Sequence, residues 1–515
     1  MIAISAASVH AGQTWDGGGV NDNWTSPANW DGDVGPNFAN PITFQGETRT
    51  NTLNNRTADS VVGGINLTND GSVGKTAAFN FSQNRLTLGG NIVTTASSST
   101  ITDSIDFDMI FNGGRTINTG ADHNLTITGI ISQDGTNRNL TKQGVGTLTL
   151  SNAANTFAGQ FLSDAGTTQV TKLENNGTAS SLGAGAASFR LGNDATATLE
   201  YIGNTDSSSN KVVQIGTGTA TNTGSAAILN NGTGKLTFTA ANFTAAVAGV
   251  TVARSLTLGG SYAAAANEIT GVIRDTNTAG GGIVSLTKEG ASTWALSGTN
   301  TYTGNTTINA GTLALGASGT IATSPAIVVG SGATFEVSSV AGFSVGASQE
   351  LAGSGTVNGA VAANGTISPG VTGVASGVGT ISFANDLSLA SGSFLGFQLD
   401  GTDFTVGGSV NDLISASGDL TLDGTLNVTA LNSFASATVG NTWRLFNYSG
   451  TLTDNNLALG TMPTLGAGLS FSIDTSTANQ VNLVVVPEPS LAVAGLLGLG
   501  WAGLTGLRKR SRNKS

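Results

Sequence analysis

Two stretches of this sequence are near copies of each other, and internal repetition is the feature that most restricts its fold. Residues 140–159 read LTKQGVGTLTLSNAANTFAG, and residues 286–304 read LTKEGASTWALSGTNTYTG, with one residue deleted in the second copy. Upstream matches keep the same order at drifting spacing, as in ITGII at 127–131 and ITGVI at 269–273. Stacked repeats tolerate such insertions because each repeat packs only on its neighbours. We therefore predict a solenoid.

The runs between the repeats alternate in a way that favours strands over helices. Short segments in which Thr alternates with Leu, Ile, Val or Phe are bounded by Gly, Asn and Asp. Period-two alternation places one side of each strand in a core and the other in solvent. On this pattern Leu150 and Leu296 point inward. The clearest predicted strands are 86–89, 125–128, 147–150, 235–239 and 311–315.

Composition excludes several classes of protein. Only 10% of the 515 residues are charged, and the formal net charge is −11. Nucleic-acid binding is excluded, because the chain lacks a basic stripe to neutralise phosphates. With no cysteine the chain forms no disulfide or thiolate zinc site, which suits an exported bacterial protein. Hydrophobic residues make up 39% of the chain, too many for a disordered one.

Both ends of the chain have the composition of targeting segments. Residues 1–11 end in Val9-His10-Ala11, similar to a signal-peptidase site, and we interpret them as a truncated signal-peptide remnant. Near the other end, the uncharged apolar run Leu491–Leu507 is just long enough to predict a transmembrane helix. Positive charge after the run would hold the C-terminus in the cytoplasm. That basic tail consists of Arg508, Lys509, Arg510, Arg512 and Lys514.

The C-terminal segment resembles the PEP-CTERM sorting signal, because Pro487, Glu488 and Pro489 precede the apolar run and the basic tail. This resemblance implies that an exosortase-type membrane protease cuts near residues 486–490. The protein would pass through the inner membrane and reach the surface of a Gram-negative bacterium. A plain tail anchor is the alternative.

The repeated segment resembles the autotransporter-associated β-strand repeat of passenger domains. The shared pattern is Lys-x-Gly-x-x-Thr-(Leu/Trp)-x-Leu-Ser, followed by Asn-Thr-(Phe/Tyr)-x-Gly. The resemblance implies an all-β fold, a right-handed parallel β-helix with a small C-terminal β cap. The predicted divisions are 1–11, a solenoid at 12–385 with repeats near 140–170 and 286–316, a closing β region at 386–485, and the sorting signal at 486–515.

The N-terminal part of the solenoid holds a cluster of tryptophans and acidic residues. We interpret Trp15, Trp24 and Trp30 as the apolar plug of the first rung, with carbohydrate stacking as the alternative. Oxygen ligands for calcium are available nearby, but no calcium-binding spacing is present, so we predict no metal site. Those oxygen-bearing residues are Asp16, Asn21, Asp22 and Asp31.

Candidate catalytic residues are few. His123 follows Asp122 in a predicted turn, and we expect it to be solvated rather than catalytic. Asp106 and Asp108 alternate on one predicted strand near Arg115, which is the best arrangement available for a polysaccharide lyase or hydrolase. Two acidic residues facing solvent explain the pattern more simply.

We therefore predict a non-enzymatic protein of the cell surface or extracellular matrix, without a cofactor, that mediates structure or adhesion. Long faces rich in Thr, Ser and Asn would associate with extracellular polysaccharide through many weak contacts. A β-helical polysaccharide lyase or hydrolase is the alternative.

Overall fold

The computed structural model describes residues 13–68, 77–193, 195–216, 223–244, 252–276, 282–370 and 377–488. These residues form strands and two short 3-10 helices, Pro27–Asn29 and Asp31–Asp33, with no α-helix among them. The predicted all-β fold is thus confirmed for the described residues. The chain divides into two compact units, one comprising Met1–Phe343 with Gly355–Asn358 and the other Ser344–Ser354 with Gly359–Ser515.

The first unit contains four parallel sheets, which we number in the order of their first strands. Sheet 1 consists of Thr14–Trp15, Ile42–Phe44, Ile65–Leu67, Ile92–Thr94, Arg115–Asn118, Leu140–Gln143, Phe161–Ser163, Ser188–Leu191 and Val212–Ile215. Sheet 2 consists of Asn51–Asn54, Asn80–Gln83, Ile101–Ile105, His123–Ile127, Thr147–Leu150, Gly166–Val170, Ala197–Tyr201, Ala226–Asn230, Arg254–Gly260, Val284–Lys288, Thr306–Ile308 and Ala326–Val329. Sheet 3 consists of Ser60–Val62, Leu86–Leu88, Met109–Phe111 and Ile131–Gln133. Sheet 4 consists of Ser207–Ser209, Leu236–Phe238, Asn267–Ile269, Thr293–Leu296, Thr312–Leu315, Thr334–Glu336 and Thr356–Asn358.

The second unit contains three sheets. Sheet 5 consists of Ser344–Val345, Val361–Ala363, Leu387–Leu389, Leu420–Leu422 and Leu452–Asp454. Sheet 6 consists of Glu350–Gly353, Thr366–Pro369, Phe394–Asp400, Thr425–Asn432 and Ala458–Leu459. Sheet 7 consists of Thr380–Phe383, Leu413–Ala416, Thr442–Tyr448, Gln480–Pro487 and Leu469–Asp474.

Successive turns of the chain stack in parallel register, which is the arrangement of a β-solenoid. In sheet 2, Leu125 pairs with Leu148, and Ile127 pairs with Leu150, which in turn pairs with Val170. Side chains of one type therefore lie above each other in continuous columns. Leu150 and Leu296 are both 0% exposed, so the predicted inward faces are confirmed. Burial of each such side chain stabilises the fold by about 1.5–3 kcal/mol.

The length of a rung varies widely along the chain. Paired residues are 16 positions apart at Glu350 and Thr366 but 33 apart at Thr380 and Leu413. Extra residues leave the stack as loops, because only the paired strands contact the neighbouring rung.

Antiparallel strands end the described part of the second unit. Gln480–Pro487 pairs antiparallel with Thr442–Tyr448 and with Leu469–Asp474. This change of strand direction interrupts the parallel stack. No helix among the described residues is long and apolar enough to cross a membrane. The predicted transmembrane helix lies outside the described residues.

Candidate functional site

The lysine of the repeat lies inside the fold. Lys142 is 0% exposed, and its Nζ donates to the carbonyl oxygens of Gln143 at 3.0 Å, Gly144 at 2.7 Å and Ala165 at 3.1 Å. The first carbonyl belongs to the last residue of its own strand, the second to the turn that follows, and the third to the corresponding turn of the next rung. One ammonium group therefore joins two successive turns.

The second copy of the repeat reproduces this set of three carbonyl acceptors around a lysine, which we call the lysine cage. Lys288 is also 0% exposed, and its Nζ donates to the carbonyls of Glu289 at 2.7 Å, Gly290 at 2.8 Å and Ala310 at 3.0 Å. Burial lowers the pKa of each lysine to about 8, against the opposing charge of Asp164 in the first copy and Glu289 in the second. Both lysines remain mostly charged at pH 7.

A glycine lies two residues after each lysine, because the backbone of the turn is left-handed at that position. Gly144 has φ 75° and Gly290 has φ 64°, a region that residues with a Cβ rarely adopt. A Cβ on Gly144 would also lie 2.2 Å from the carbonyl oxygen of Thr119 in the rung before. The Lys-x-Gly pattern therefore builds a corner of the stack.

The asparagine of the repeat joins three rungs. Asn155 and Asn300 are buried, and their Oδ1 atoms accept from the main-chain N–H of Ile131 at 2.8 Å and Ile273 at 2.9 Å, respectively. Their Nδ2 atoms donate forward along the stack, to Ser181 O at 3.1 Å and Thr320 O at 3.0 Å, respectively. The most recognisable residues of the repeat thus serve the fold.

The three N-terminal tryptophans form the apolar plug that the sequence predicted. Trp15, Trp24 and Trp30 are all 0% exposed, and the rings of Trp15 and Trp30 meet edge to face at 5.3 Å. The ring of Trp24 lies 5.3 Å from that of Phe44. Because no ring surface reaches solvent, the alternative of carbohydrate stacking is wrong.

The oxygen-bearing residues near this tryptophan plug form hydrogen bonds and an ion pair within the surrounding turns. Asp16 Oδ1 accepts from Gly18 N at 2.9 Å, and Asn21 Oδ1 accepts from Ser26 Oγ at 2.7 Å. Asp22 forms an ion pair with Arg49 at 3.2 Å, while Asp31 is exposed. The described residues contain no cluster of three or more His, Asp or Glu side chains suited to a metal ion.

His123 is buried, so the prediction of a solvated turn histidine is wrong. It begins the strand His123–Ile127 and is 0% exposed. Its Nε2 lies 2.6 Å from Asp103 Oδ2, and its Nδ1 lies 2.7 Å from the carbonyl of Thr95. Asp103 also accepts from Phe79 N at 2.7 Å. Asp103 was not among the predicted site residues, although its inward position in an alternating strand was a usable signal.

The three candidate catalytic residues have separate structural partners. Asp106 accepts from Thr128 Oγ1 at 2.7 Å, and Asp108 accepts from Ile130 N at 2.7 Å. Arg115 donates to the carbonyl of Leu88 at 2.7 Å. No hydrogen bond or ion pair within the described ranges joins the three side chains, and each has a structural partner of its own.

Only the start of the predicted sorting motif lies in the described residues. Pro487 ends the last strand and is exposed, as is Glu488, whose N–H donates to the carbonyl of Gly468 at 2.9 Å. Pro489, the apolar run Leu491–Leu507 and the basic tail lie outside the described residues.

Outward-facing polar side chains form ladders along the rungs of sheet 2. Thr149 Oγ1 donates to Gln169 Oε1 at 2.8 Å, and Gln169 Nε2 donates to Glu200 Oε2 at 3.0 Å. Asn231 continues the ladder by donating to Glu200 Oε1 at 2.6 Å. These side chains therefore form hydrogen bonds with one another across successive rungs.

Two comparisons with known proteins bear on this arrangement. The model of the passenger-associated-transport-repeat matches residues 140–171 and 286–315, which confirms both predicted copies. The chain is also 32% identical over 385 residues to the adhesin BmaC autotransporter of Brucella suis biovar 1 (strain 1330). That alignment covers 61% of this chain and 10% of the adhesin, so the chain spans about a tenth of its relative's length. The protein therefore contains two segments that match passenger-associated-transport repeats, in a parallel β-stack similar in sequence to part of an autotransporter adhesin.

Proposed function

We propose that this protein is a right-handed parallel β-helix that is exported and acts as a structural or adhesion protein at the surface or in the extracellular matrix of a Gram-negative bacterium. The observation that carries the proposal is the similarity to an autotransporter adhesin across 61% of the chain. The buried lysines and asparagines agree with it, because they give the repeat a structural role in stacking successive rungs.

We further propose that the C-terminal segment sorts the protein as a PEP-CTERM signal. Pro487 and Glu488 are exposed at the end of the last described strand, where a protease could reach them. The uncharged run Leu491–Leu507 would hold the protein in the inner membrane until an exosortase-type protease cuts near residues 486–490. The basic tail would remain in the cytoplasm.

Mass spectrometry of protein extracted from the surface of the producing bacterium tests the sorting proposal. We expect a mature C-terminus within residues 486–490, and we expect Glu488→Ala to leave uncleaved protein in the inner membrane. Glu289→Ala, which removes an exposed carboxylate in the body, is the control and should be processed normally. Recovery of peptides from 491–515 on surface protein would identify a plain tail anchor instead.

A gene deletion tests the adhesion role separately. Cells without the protein should attach less to surfaces or matrix, and expression of the full chain should restore attachment. Unchanged attachment would contradict an adhesive role whatever the sorting route. The alternative of a polysaccharide-degrading enzyme receives no support from Asp106, Asp108 and Arg115, since each is held by a different partner.

A further inference from the structure

A column of threonines runs along the outer face of sheet 2. The pairing of successive strands places one outward residue of each rung directly above the next. Ala227 interrupts the column once, and Val328 follows its last threonine. In order, the threonines are Thr147, Thr167, Thr198, Thr257, Thr287 and Thr307.

The hydroxyl groups of this column have no hydrogen-bond partner among the described residues. All six residues are half-buried, and none of their Oγ1 atoms forms a hydrogen bond with another described residue. The adjacent ladder differs, because Thr149, Gln169 and Glu200 are bonded to one another. The threonine column therefore keeps donors and acceptors that no described residue uses.

The column presents these hydroxyls in an ordered row. Neighbouring parallel strands lie about 4.7–4.9 Å apart, so the Oγ1 atoms recur at about that spacing. Threonine is branched at Cβ and has a stiff χ1, so little side-chain entropy is lost when a ligand binds. A ligand with a regular series of hydroxyl groups could bond to several rungs at once.

The charge around the column favours a neutral ligand. Ser255 and Ser285 lie beside Thr257 and Thr287 on the same face, and these four side chains are uncharged. The whole chain carries a formal net charge of −11, which repels an acidic polysaccharide. A neutral polysaccharide offers hydroxyls along its length without that repulsion.

We infer that the threonine column of sheet 2 binds an extended neutral polysaccharide, with one weak contact per rung. The inference deepens the proposed adhesive function and rests on it, since it names the face and the ligand class. Many weak contacts on one rigid row give useful avidity even though each is small. A shorter column on sheet 4 contains fewer contacts and should bind more weakly; it consists of Thr293, Thr312, Thr334 and Thr356.

Substitution by valine tests the column, because valine keeps the shape and strand preference of threonine and removes only the hydroxyl. The column variant carries Thr257→Val, Thr287→Val and Thr307→Val in the full chain. The control variant changes three half-exposed threonines of sheets 1 and 4 that belong to neither column, namely Thr116→Val, Thr141→Val and Thr237→Val.

Affinity electrophoresis in gels containing dextran, soluble starch or alginate gives the readout. We expect retardation of the wild-type chain by a neutral glucan, at least a tenfold weaker affinity for the column variant, and unchanged affinity for the control. Circular dichroism should show the same strand content in all three proteins.

Equal losses in both variants would overturn the inference, and so would retardation by alginate alone. Failure of the wild type to bind either neutral glucan would also overturn it. That last result would leave the adhesive function intact if deletion of the gene still reduces attachment, so the two proposals can fail separately.

Discussion

Lys142 Nζ lies 3.1 Å from the carbonyl oxygen of Ala165, which belongs to the next rung of the stack. Lys288 and Ala310 repeat the relationship at 3.0 Å. The two copies nevertheless occupy different sheets, since Lys142 is the penultimate residue of a strand of sheet 1 and Lys288 is the last residue of a strand of sheet 2. The repeat therefore specifies a corner between two strands and can be used at more than one corner of the solenoid.

Lys142→Met should lower the free energy of unfolding by about 2–4 kcal/mol, because three buried carbonyls lose a charged donor. Lys172→Met is the control, since this lysine is partly exposed and should change stability by less than about 1 kcal/mol. Urea denaturation followed by circular dichroism measures both. Equal effects would show that the cage contributes nothing beyond an ordinary surface lysine.

The buried lysines should make the protein more stable as the solution becomes alkaline. Burial lowers the pKa of Lys142, Lys211 and Lys288 to about 8, from 10.5 in a solvated side chain. Between these values the unfolded chain binds more protons than the folded chain, so the unfolding free energy rises with pH. The slope is at most about 1.4 kcal/mol per pH unit for each group. In Lys142→Met the slope between pH 8 and 10 should be smaller, and an unchanged slope would contradict this linkage.

Asp412 should make the free energy of unfolding fall as the pH rises through the acid range. It is 0% exposed, and burial raises its pKa to about 7 despite N–H donors from Gln398 and Gly379. Between pH 3.8 and 7 the folded state binds more protons than the unfolded state, so this group lowers stability as pH rises. Wild type should therefore lose stability relative to Asp412→Asn from pH 4.5 to 7. Parallel curves for the two proteins would refute the assignment.

Breaking the buried pair of Asp103 and His123 should cost about 3–5 kcal/mol, because the remaining polar group would be buried without its partner. Asp103→Leu and His123→Leu are each expected to have this effect. The double variant should lose less unfolding free energy than the two single variants lose together. The exposed Asp106→Asn is the control, with a change below about 0.5 kcal/mol. Additive single effects in chemical denaturation would mean that the pair is not coupled.

Leu150→Asp should destabilise the fold by more than about 3 kcal/mol, since it buries an unpaired charge between Ile127 and Val170. Thr126→Asp places the same charge on the outer face one rung away and should change stability by less than about 1 kcal/mol. Thermal unfolding distinguishes the two variants. A larger loss of stability in Thr126→Asp than in Leu150→Asp would mean that the strand faces are inverted.

Local pattern was sufficient to predict the five clearest strands, their inward faces and the stacked repeats, but the strand predicted to carry Asp106 and Asp108 ends at Ile105. Alternation alone places Leu150 and Leu296 in the core, because the side chains of a strand point to opposite sides in turn. Three tryptophans within sixteen residues were likewise enough to predict an apolar plug, since the first rung has no neighbour to cover it.

Contacts between rungs could not be derived from local pattern, because their partners lie at distances that vary with loop length. His123 resembles a turn residue in the sequence, and it becomes a core residue only because Asp103, on the paired strand one rung earlier, lies within hydrogen-bonding distance of its ring. Lys142 resembles a surface lysine until Ala165 of the next rung supplies its third acceptor. A buried polar group needs a partner, and in this protein the stacking of rungs decides which residue provides it.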